Sequence, residues 1–286
     1  MSVTSDMSVT ALPAPRRGIT VGAALSSAFL LALLVLAVFG AAFAPHDPLA
    51  QDPLRGVAGP RDGHLLGTDQ LGRDVFSLLI VGTRSALMGP LAVALGCLLI
   101  GCPLGIWAAY ARGAVDAVIN RFADLIFAFP AFLILIVVVG VLGGGYWEGV
   151  IVLLLLSMPF QIRLVRSVAT VQVRLPYVDA ARTIGLGSGR IMVRHVLPNV
   201  RSTVLATVLL DFVGALIGFA SLSYLGLGVP PGSPDWGSML ASGQRLVALN
   251  PWVAIAPGAL LICTAASATV LGDWVYHRMS KQEGRP

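Results

Sequence analysis

The sequence predicts an all-α integral membrane protein with six transmembrane helices, and three observations indicate this fold class. Hydrophobic residues make up 56% of the 286 positions, and charged residues make up only 12%. This charged fraction is about half of that in soluble domains. The mean hydropathy is +0.85. The apolar residues fall into six largely uncharged runs, most of which approach the roughly 20 residues that a bilayer-crossing helix needs. This composition excludes a disordered chain, and three cysteines are too few for a disulfide scaffold.

Six spans follow from these runs. The first is longer than the apolar part of a signal peptide, and Pro45 follows its only cleavage-like site, so we expect an uncleaved helix. The fourth has a short apolar core between Glu148 and Arg163, and we expect Arg163 and Arg166 to snorkel to the interface. The predicted spans cover residues 19–43, 85–110, 120–142, 147–165, 202–228 and 252–272.

Lysine and arginine are distributed unevenly between the two sides that six spans define. Fourteen lie on the side of the termini and five on the other side. Cytoplasmic loops carry the excess of positive charge, so both termini are expected in the cytoplasm. The expected segments are a cytoplasmic tail at 1–18, a transmembrane domain at 19–276 with outer loops at 45–84 and 229–251 and a cytoplasmic loop at 166–201, and a cytoplasmic tail at 277–286.

The cytoplasmic loop between spans four and five begins with a predicted short helix. Pro176 suits the first position of a helix, and Asp179 then falls in the first turn, where negative charge is favoured. Gly185 and Gly187 end that helix.

A second short helix is predicted directly after the glycines. Ser188 is its candidate N-cap, its apolar residues alternate with Arg190, Arg194 and His195, and Pro198 is expected to end it. Two short amphipathic helices would then meet at a glycine elbow on the membrane surface, as a docking site for a soluble partner. The alternative is a basic loop solvated beside anionic lipid.

The residues of this loop resemble a known family. Asp179-Ala180-Ala181, Gly185 and Leu197-Pro198 are similar, in type and spacing, to the EAA loop of ATP-binding-cassette (ABC) importer permeases. Asp179 stands where the pattern has glutamate, and His195 stands where it has an apolar residue. The resemblance implies the type I importer permease fold, with coupling helices that dock on an ATPase subunit. The coupling residues that it implies are Asp179, Ala180, Ala181, Gly185, Gly187, Arg190, Arg194, Leu197 and Pro198.

Three further stretches resemble the dipeptide, oligopeptide and nickel branch of that family, in its second-permease type. They are HLLGTDQLGRD at residues 64–74, SLSYLGLGVPPGSPDWGSML at residues 221–240 and AFP at residues 128–130. The resemblance implies import of dipeptides or oligopeptides across the bacterial plasma membrane; a nickel or other small-solute permease is the alternative. Phe219 stands where many peptide permeases carry an acid.

The implied partners are a second, related permease, cytoplasmic ATPases that bind ATP and Mg, an extracytoplasmic solute-binding protein and membrane lipid, with no nucleic acid. A phosphate loop needs a glycine-rich turn followed by lysine. Lys281 is the only lysine and follows no such turn. We therefore expect no enzymatic activity and no cofactor in this chain itself.

The predicted outer loops carry candidate residues for receiving the binding protein or forming the outer gate: Asp69, Arg73, Asp74, Asp235 and Trp236. Thr68 or Asp69 can cap a helix through residues 75–80 whose apolar face would lie along the membrane surface. The alternative is that this helix only caps the bundle.

Pathway candidates lie within the predicted spans. Asp211 is near the middle of span five, where a carboxylate costs about 2.5–3.5 kcal/mol on insertion scales, so it should face protein or water. Asp124 and Phe219 are the other candidates. The rival class is an ion-coupled transporter that uses Asp124 and Asp211 as ion sites. Asp211 can alternatively be protonated or hydrogen-bonded to a neighbouring helix.

No metal site is predicted from the sequence. Cys97, Cys102 and Cys263 lie in apolar runs without metal spacing and are interpreted as packing residues. The four histidines, at positions 46, 64, 195 and 277, are dispersed along the chain, so no ligand cluster is visible.

Overall fold

The computed structural model describes residues 21–111 and 113–283, together with the side chains of all of these except 115 and 281–283. The predicted tail at 1–18, the first two residues of the first predicted span, Arg112 and residues 284–286 lie outside the described residues. The described part is built from helices joined by short turns and two longer polar segments. The helices are α1 (Val21–Phe43), α2 (Val75–Gly96), α3 (Cys102–Ala111), α4 (Gly113–Phe127), α5 (Ala131–Val141), α6 (Tyr146–Val173), α7 (Pro176–Thr183), α8 (Ser188–Ile191), α9 (Leu197–Tyr224), α10 (Trp236–Gly243) and α11 (Trp252–Glu283).

Five continuous helices in the described chain are long and apolar enough to cross a membrane, and a bent pair brings the number to six. The bent pair is α4 and α5, which meet at 83°. Pro130 lies at the bend, because proline lacks a backbone N–H and disfavours helical geometry in the residue before it. The third predicted span is therefore a broken helix and not one straight crossing.

Two of the long helices contain a π-helical turn, and in both a proline follows two residues after that turn. Cys97–Gly101 joins α2 to α3 ahead of Pro103, and Met192–Val196 joins α8 to α9 ahead of Pro198. A proline ring clashes with the carbonyl four residues earlier in a regular helix, and the wider turn relieves that clash. The second predicted hairpin helix is therefore not ended by Pro198. It is the first part of span five, which runs continuously over Ser188–Tyr224.

The start of α2 also differs from expectation. Asp74 is the N-cap, because its carboxylate accepts a hydrogen bond from the Ser77 N–H at 2.8 Å. Neither Thr68 nor Asp69 takes that role. The separate helix predicted to lie along the membrane surface is wrong, because residues 75–80 are the first turns of one helix that continues through the second span.

The hairpin, residues 176–191, agrees with its predicted outline. Pro176 lies in the first turn of α7 and Asp179 in the same turn. Gly185, with φ +78°, ends α7 in the left-handed region that favours glycine. Two hydrogen bonds close that end, from Leu186 N–H to the Ala181 carbonyl and from Gly185 N–H to the Arg182 carbonyl. Gly187, not Ser188, is the N-cap of α8, and no side chain caps it.

Helix α9 lies at the centre of the bundle, in contact with α2, α6 and α11. One apolar core joins α1, α2, α9, α10 and α11, and a second joins α2, α5, α6 and α9. A third core joins α3 and α6 to the hairpin and to the start of α9. The hairpin is therefore packed onto the ends of the spans, which fixes its position relative to them.

Candidate functional site

The hairpin buries one face and exposes the other. Val178, Ala181 and Ile191 are buried against α3 and α6. On the opposite face Ile184 is 75% exposed at the elbow, and Arg190 and Arg194 are exposed beside it. An exposed isoleucine flanked by arginines on a fixed helix pair suits an apolar pocket with acidic groups at its edge.

One arginine connects the hairpin to the end of the second span. The Arg182 guanidinium carbon lies 4.8 Å from the centre of the Tyr110 ring, and its Nε donates to the Tyr110 hydroxyl at 3.4 Å. Arg182 also pairs with Asp179 at 3.1 Å. The Tyr110 hydroxyl, and then Asp179, raise the pKa of Arg182 against the opposing effect of burial. No sequence pattern indicated Arg182 or Tyr110, because 72 residues separate them.

Two arginines that were expected to snorkel to the interface form ion pairs. Arg166 forms a two-pronged pair with Asp116, and Arg163 pairs with Asp124 while stacking over Phe127. Both pairs join α4 to α6. The pathway candidate Asp124 thus has a cationic partner, and its side chain is exposed.

Asp211 is only 7% exposed, which confirms that it faces protein and not lipid. Its Oδ2 atom has no hydrogen-bond partner among the described residues, and neither amide atom of the buried Gln161 has one. The Cys97 thiol is the polar neighbour of the Asp211 carboxyl. Phe219 is buried and lies edge-on to the Tyr146 ring at 4.6 Å. The interior of the bundle therefore holds polar groups whose hydrogen-bonding capacity is unused.

Asp69 and Arg73 join the two polar segments, which are residues 44–74 and 225–251. Asp69 accepts hydrogen bonds from the backbone of Leu71 and Arg73 and pairs with the Arg73 guanidinium at 2.7 Å. Arg73 in turn donates to the Gly232 carbonyl in the second segment at 2.9 Å. Position 67 of the same motif requires glycine, because a Cβ there would come within 2.1 Å of the Ala58 carbonyl oxygen.

Asp235 and Trp236 fix the second polar segment to α2. Asp235 caps α10 by accepting from Ser238 N–H at 3.0 Å, and the fully buried Trp236 indole donates to the Leu79 carbonyl at 3.0 Å. Burial raises the pKa of Asp235, although hydrogen bonds to its carboxylate oppose that effect.

Asp69, Arg73, Asp74, Asp235 and Trp236 were predicted to receive the binding protein or to form the outer gate. All but Arg73 are buried, and their polar atoms form hydrogen bonds within the fold. Their part in receiving the binding protein or forming the outer gate stays a prediction.

Asn250 is a further buried residue that was not among the sequence candidates. Its side-chain amide donates to the carbonyls of Ala58 and Leu66 at 3.1 and 2.9 Å, and it lies 3.3 Å from that of Thr68. The only local signal was an asparagine directly before Pro251 at the start of α11. Its partners are more than 180 residues away in sequence.

The expectation of dispersed histidines is wrong for two of the four. His46 and His64 lie with their rings 4.8 Å apart, and both approach Asp74. The His64 Nδ1 is 2.9 Å and the His46 Nδ1 3.7 Å from an Asp74 carboxylate oxygen. Burial acts to raise the pKa of Asp74, but the hydrogen bonds from Ser77 and His64 outweigh it and the pKa is lowered. No sequence spacing indicated this group, because folding of the first segment brings its two ends together.

The fold and these sites define a class: a multi-pass helical membrane protein whose fourth and fifth spans are linked by a packed surface hairpin. Residues 101–281 match the family described as the binding-protein-dependent transport system inner membrane component. The chain belongs to this family, and it is a permease of a binding-protein-dependent ABC importer. This excludes the ion-coupled transporter as its class.

Curated relatives match over most of their length. The glutathione transport system permease protein GsiD of Pectobacterium atrosepticum is 36% identical over 246 residues, covering 86% of this chain and 82% of the relative. The di/tripeptide transport system permease protein DppC of Pseudomonas aeruginosa is 34% identical over 251 residues, covering 86% and 83%. Among solved structures, an inward-facing MetNI methionine ABC transporter has a similar chain with a TM-score of 0.56 at 18% identity, covering 71% of this chain and 97% of that one. That likeness supports the fold.

Proposed function

We propose that this permease forms one half of a membrane pathway for short peptides. Its two polar segments would face an extracytoplasmic binding protein, and its hairpin would dock on a cytoplasmic ATPase. A second, related permease would complete the pathway, because alternating access needs two halves that move against each other. Both termini would then lie in the cytoplasm, consistent with the bias of arginine toward that side.

The observation that carries this proposal is the packed hairpin with an exposed apolar tip. Its buried face is fixed to α3 and α6, so force applied at the tip is transmitted to the spans. Ile184 at the elbow is 75% exposed, and an exposed apolar residue beside arginines on a fixed helix pair suits contact with a protein pocket. The ATPase subunit would supply the pocket, and the implied coupling residues would surround it.

ATP and Mg would be bound by that partner and not by this chain. The sequence contains no glycine-rich turn followed by lysine, which phosphate-loop chemistry needs. The chain would therefore act without enzymatic activity or a cofactor of its own, and it would convert the ATPase cycle into rearrangement of its spans.

A peptide substrate is supported by the relatives, which are named for glutathione and for di- and tripeptides. These substrates share a peptide bond and charged ends. Phe219 does not argue against them, since it is buried against Tyr146 in the bundle and is not available to read a charged end in this conformation.

The docking proposal is tested by Ile184→Glu. The substitution is at an exposed position, so the fold is retained, but it places a buried charge in the proposed pocket. We expect the ATPase subunits to be lost on purification with this permease, while membrane insertion is unchanged. Leu54→Glu is the matched control, because Leu54 is fully exposed on the first polar segment. Retention of the ATPase by Ile184→Glu would show that the hairpin is not the docking site.

The substrate proposal is tested separately with the complete transporter in proteoliposomes. Uptake of radiolabelled dipeptide, tripeptide, glutathione and nickel would be compared under ATP supply and with the cognate binding protein. We expect peptide uptake that unlabelled glutathione or tripeptide inhibits, and no nickel uptake. Nickel uptake without peptide uptake would replace the peptide proposal with the small-solute alternative.

A further inference from the structure

His46, His64 and Asp74 form a group that the transport proposal does not use, here named the histidine cluster. One nitrogen or oxygen atom from each residue lies within 4.8 Å of the corresponding atoms of the other two. Asp74 and His64 are buried, whereas the His46 side chain is 43% exposed. The cluster therefore has two fixed members and one that faces solvent.

The backbone around the cluster holds these side chains in place. Asp74 is fixed as the N-cap of α2 by the Ser77 N–H and hydroxyl, at 2.8 and 2.7 Å. The backbone N–H of His46 donates to the same Ser77 hydroxyl at 3.1 Å. His64 is fixed by paired backbone hydrogen bonds with Arg61 across a tight turn. Such preorganisation is typical of a binding site, since little conformational entropy remains to be lost on binding.

We propose that the histidine cluster binds a divalent transition-metal ion through His46 Nδ1, His64 Nδ1 and an Asp74 carboxylate oxygen. Two imidazoles and a carboxylate suit zinc, nickel, cobalt or copper, and do not suit the hard ions calcium and magnesium. In a tetrahedral site ligand atoms about 2.0–2.1 Å from the metal lie roughly 3.3 Å from one another. The His64 Nδ1 lies 2.9 Å from one Asp74 oxygen and the His46 Nδ1 lies 3.7 Å from the other, and one ligand atom of each of the three residues lies within 4.8 Å of the others, so small rotations of the side chains would bring the three ligand atoms to that spacing. A fourth position would remain open beside the exposed His46 ring.

Binding requires one proton to move. His64 Nε2 lies 3.0 Å from the Arg55 guanidinium, an obligate donor, so Nε2 accepts and the ring proton is on Nδ1 facing Asp74. A metal at Nδ1 displaces the proton from that atom and takes its lone pair, and Nε2 takes up a proton so that the ring stays a neutral imidazole. The Nε2–H and the Arg55 guanidinium are then two donors that face each other, and Arg55 must move away. Arg55 has room to do so, because its side chain is half exposed and also pairs with Asp52 at 2.6 Å.

The metal would close the first polar segment onto itself. His46 is near the start of the segment, His64 is within it, and Asp74 is its last residue before α2. An ion that binds only this folded arrangement stabilises it by mass action. Metal binding would therefore make the segment more rigid at the mouth of the bundle.

The test uses the full-length chain in lipid nanodiscs, purified with a tag that contains no histidine. Zinc binding is measured by equilibrium dialysis, and cobalt is added as a spectroscopic probe of the ligand set. We expect about one zinc ion per chain, intense visible absorption bands from tetrahedral cobalt, no competition from magnesium, and a higher apparent Tm with zinc. Absence of saturable zinc binding to the wild-type chain would overturn the proposal.

Variants separate the cluster from unspecific binding. His46→Gln keeps the backbone hydrogen bond to Ser77 and should weaken zinc binding by at least tenfold, roughly the smallest loss seen when even an indirect metal partner is removed. His277→Gln is the matched control, since His277 lies on α11 outside the cluster, and it should bind as the wild type does. Equal loss in both variants, or no loss in His46→Gln, would refute the assignment of ligands.

Arg55→Gln gives an independent outcome. It removes the positive charge beside His64 and the donor that opposes Nε2–H, so zinc affinity should rise several-fold. A purely structural His64–Asp74 bridge predicts no change in zinc affinity for this variant. Unchanged or weaker binding by Arg55→Gln would contradict the proposed proton shift and, with it, coordination through His64 Nδ1.

Discussion

Arg182 in the hairpin stacks over Tyr110, the penultimate residue of the long helix Val75–Ala111, with its guanidinium carbon 4.8 Å from the ring centre. Its Nε also reaches the Tyr110 hydroxyl at 3.4 Å. This helix begins at the Asp74 cap on the opposite side of the bundle and packs along α9 and α6 on the way. The Arg182–Tyr110 contact therefore joins the proposed docking surface to a helix that reaches the polar segments.

We predict that Arg182→Ala separates docking from coupling. The hairpin keeps its buried face and its exposed Ile184, so the ATPase should still bind. Stacking of this kind is worth about 0.5–1 kcal/mol at an exposed site, and its loss should reduce the ATPase stimulation caused by loaded binding protein by roughly two- to fivefold. The measurement is ATP hydrolysis by the reconstituted transporter with and without loaded binding protein.

Tyr110→Ala should have the same effect, and the double variant should be no worse than either single one, because the two residues act as a pair. Tyr110→Phe keeps the ring and should retain most of the stimulation. Additive losses in the double variant would mean that Arg182 and Tyr110 act independently.

Asn250→Ala should loosen the first polar segment. The amide of Asn250 donates to the Leu66 carbonyl, and burying an acceptor without a partner costs about 1–3 kcal/mol. The Ala58 carbonyl, to which Asn250 also donates, keeps the hydrogen bond from the Thr68 N–H. We expect a lower apparent Tm in detergent and faster trypsin cleavage at Arg55 and Arg61. Asn250→Asp should be worse, because a carboxylate has no donor to offer these carbonyls. Asn199→Ala, on an exposed side chain far away, should change neither result.

Asp235 should make stability depend on pH. Burial raises its pKa in the folded protein above that of the unfolded chain, so the folded state binds more protons between the two values. The stability that this preference for the protonated Asp235 contributes is fully present below the pKa of the unfolded chain, about 3.9. It is lost as pH rises through the pKa of the folded protein. The apparent Tm of the wild type minus that of Asp235→Asn should therefore fall across this interval.

Asn caps a helix about as well as Asp, so Asp235→Asn keeps α10 in place. Asp235→Ala removes the cap at a cost of about 1 kcal/mol, and its Tm should be below that of the asparagine variant at every pH. A Tm difference between wild type and Asp235→Asn that rises with pH would mean that the pKa of Asp235 is lowered, and not raised, by folding.

Asp211→Leu should separate stability from transport. Replacing a buried carboxyl that has an unpartnered oxygen by an apolar side chain with the same branching removes a desolvation cost, so the apparent Tm should stay the same or rise. Uptake should fall by about tenfold or more if the carboxyl is part of the pathway, as is common for acids within spans. Uptake by Asp211→Asn should lie between that of the wild type and that of Asp211→Leu.

Thr207→Val is the control for Asp211, because Thr207 is buried one turn away and its hydroxyl bonds only within its own helix. It should leave uptake unchanged. Wild-type uptake by Asp211→Leu would assign the carboxyl to packing and remove it from the pathway candidates.

Local features of this protein were readable from its sequence because local chemistry sets them. Pro176 starts α7 and Gly185 ends it, since proline suits the first turn and glycine tolerates the left-handed geometry after the last. The burial of Asp211 followed from the cost of placing a carboxylate in lipid. The bend at Pro130 was not foreseen, because proline in a membrane helix is also compatible with a mild kink, and neighbouring helices decide how far it opens.

The sequence by itself determined the membrane class, the runs that form spans and the hairpin between the fourth and fifth of them, because hydropathy and turn residues act over short stretches. Only the tertiary structure decided which polar groups meet. Arg166 pairs with Asp116 across 50 residues and Asn250 reaches Leu66 across 184. His46 meets His64 and Asp74 only after the first polar segment folds back on α2. Such contacts depend on how helices pack, and packing is a property of the whole bundle that no local pattern encodes.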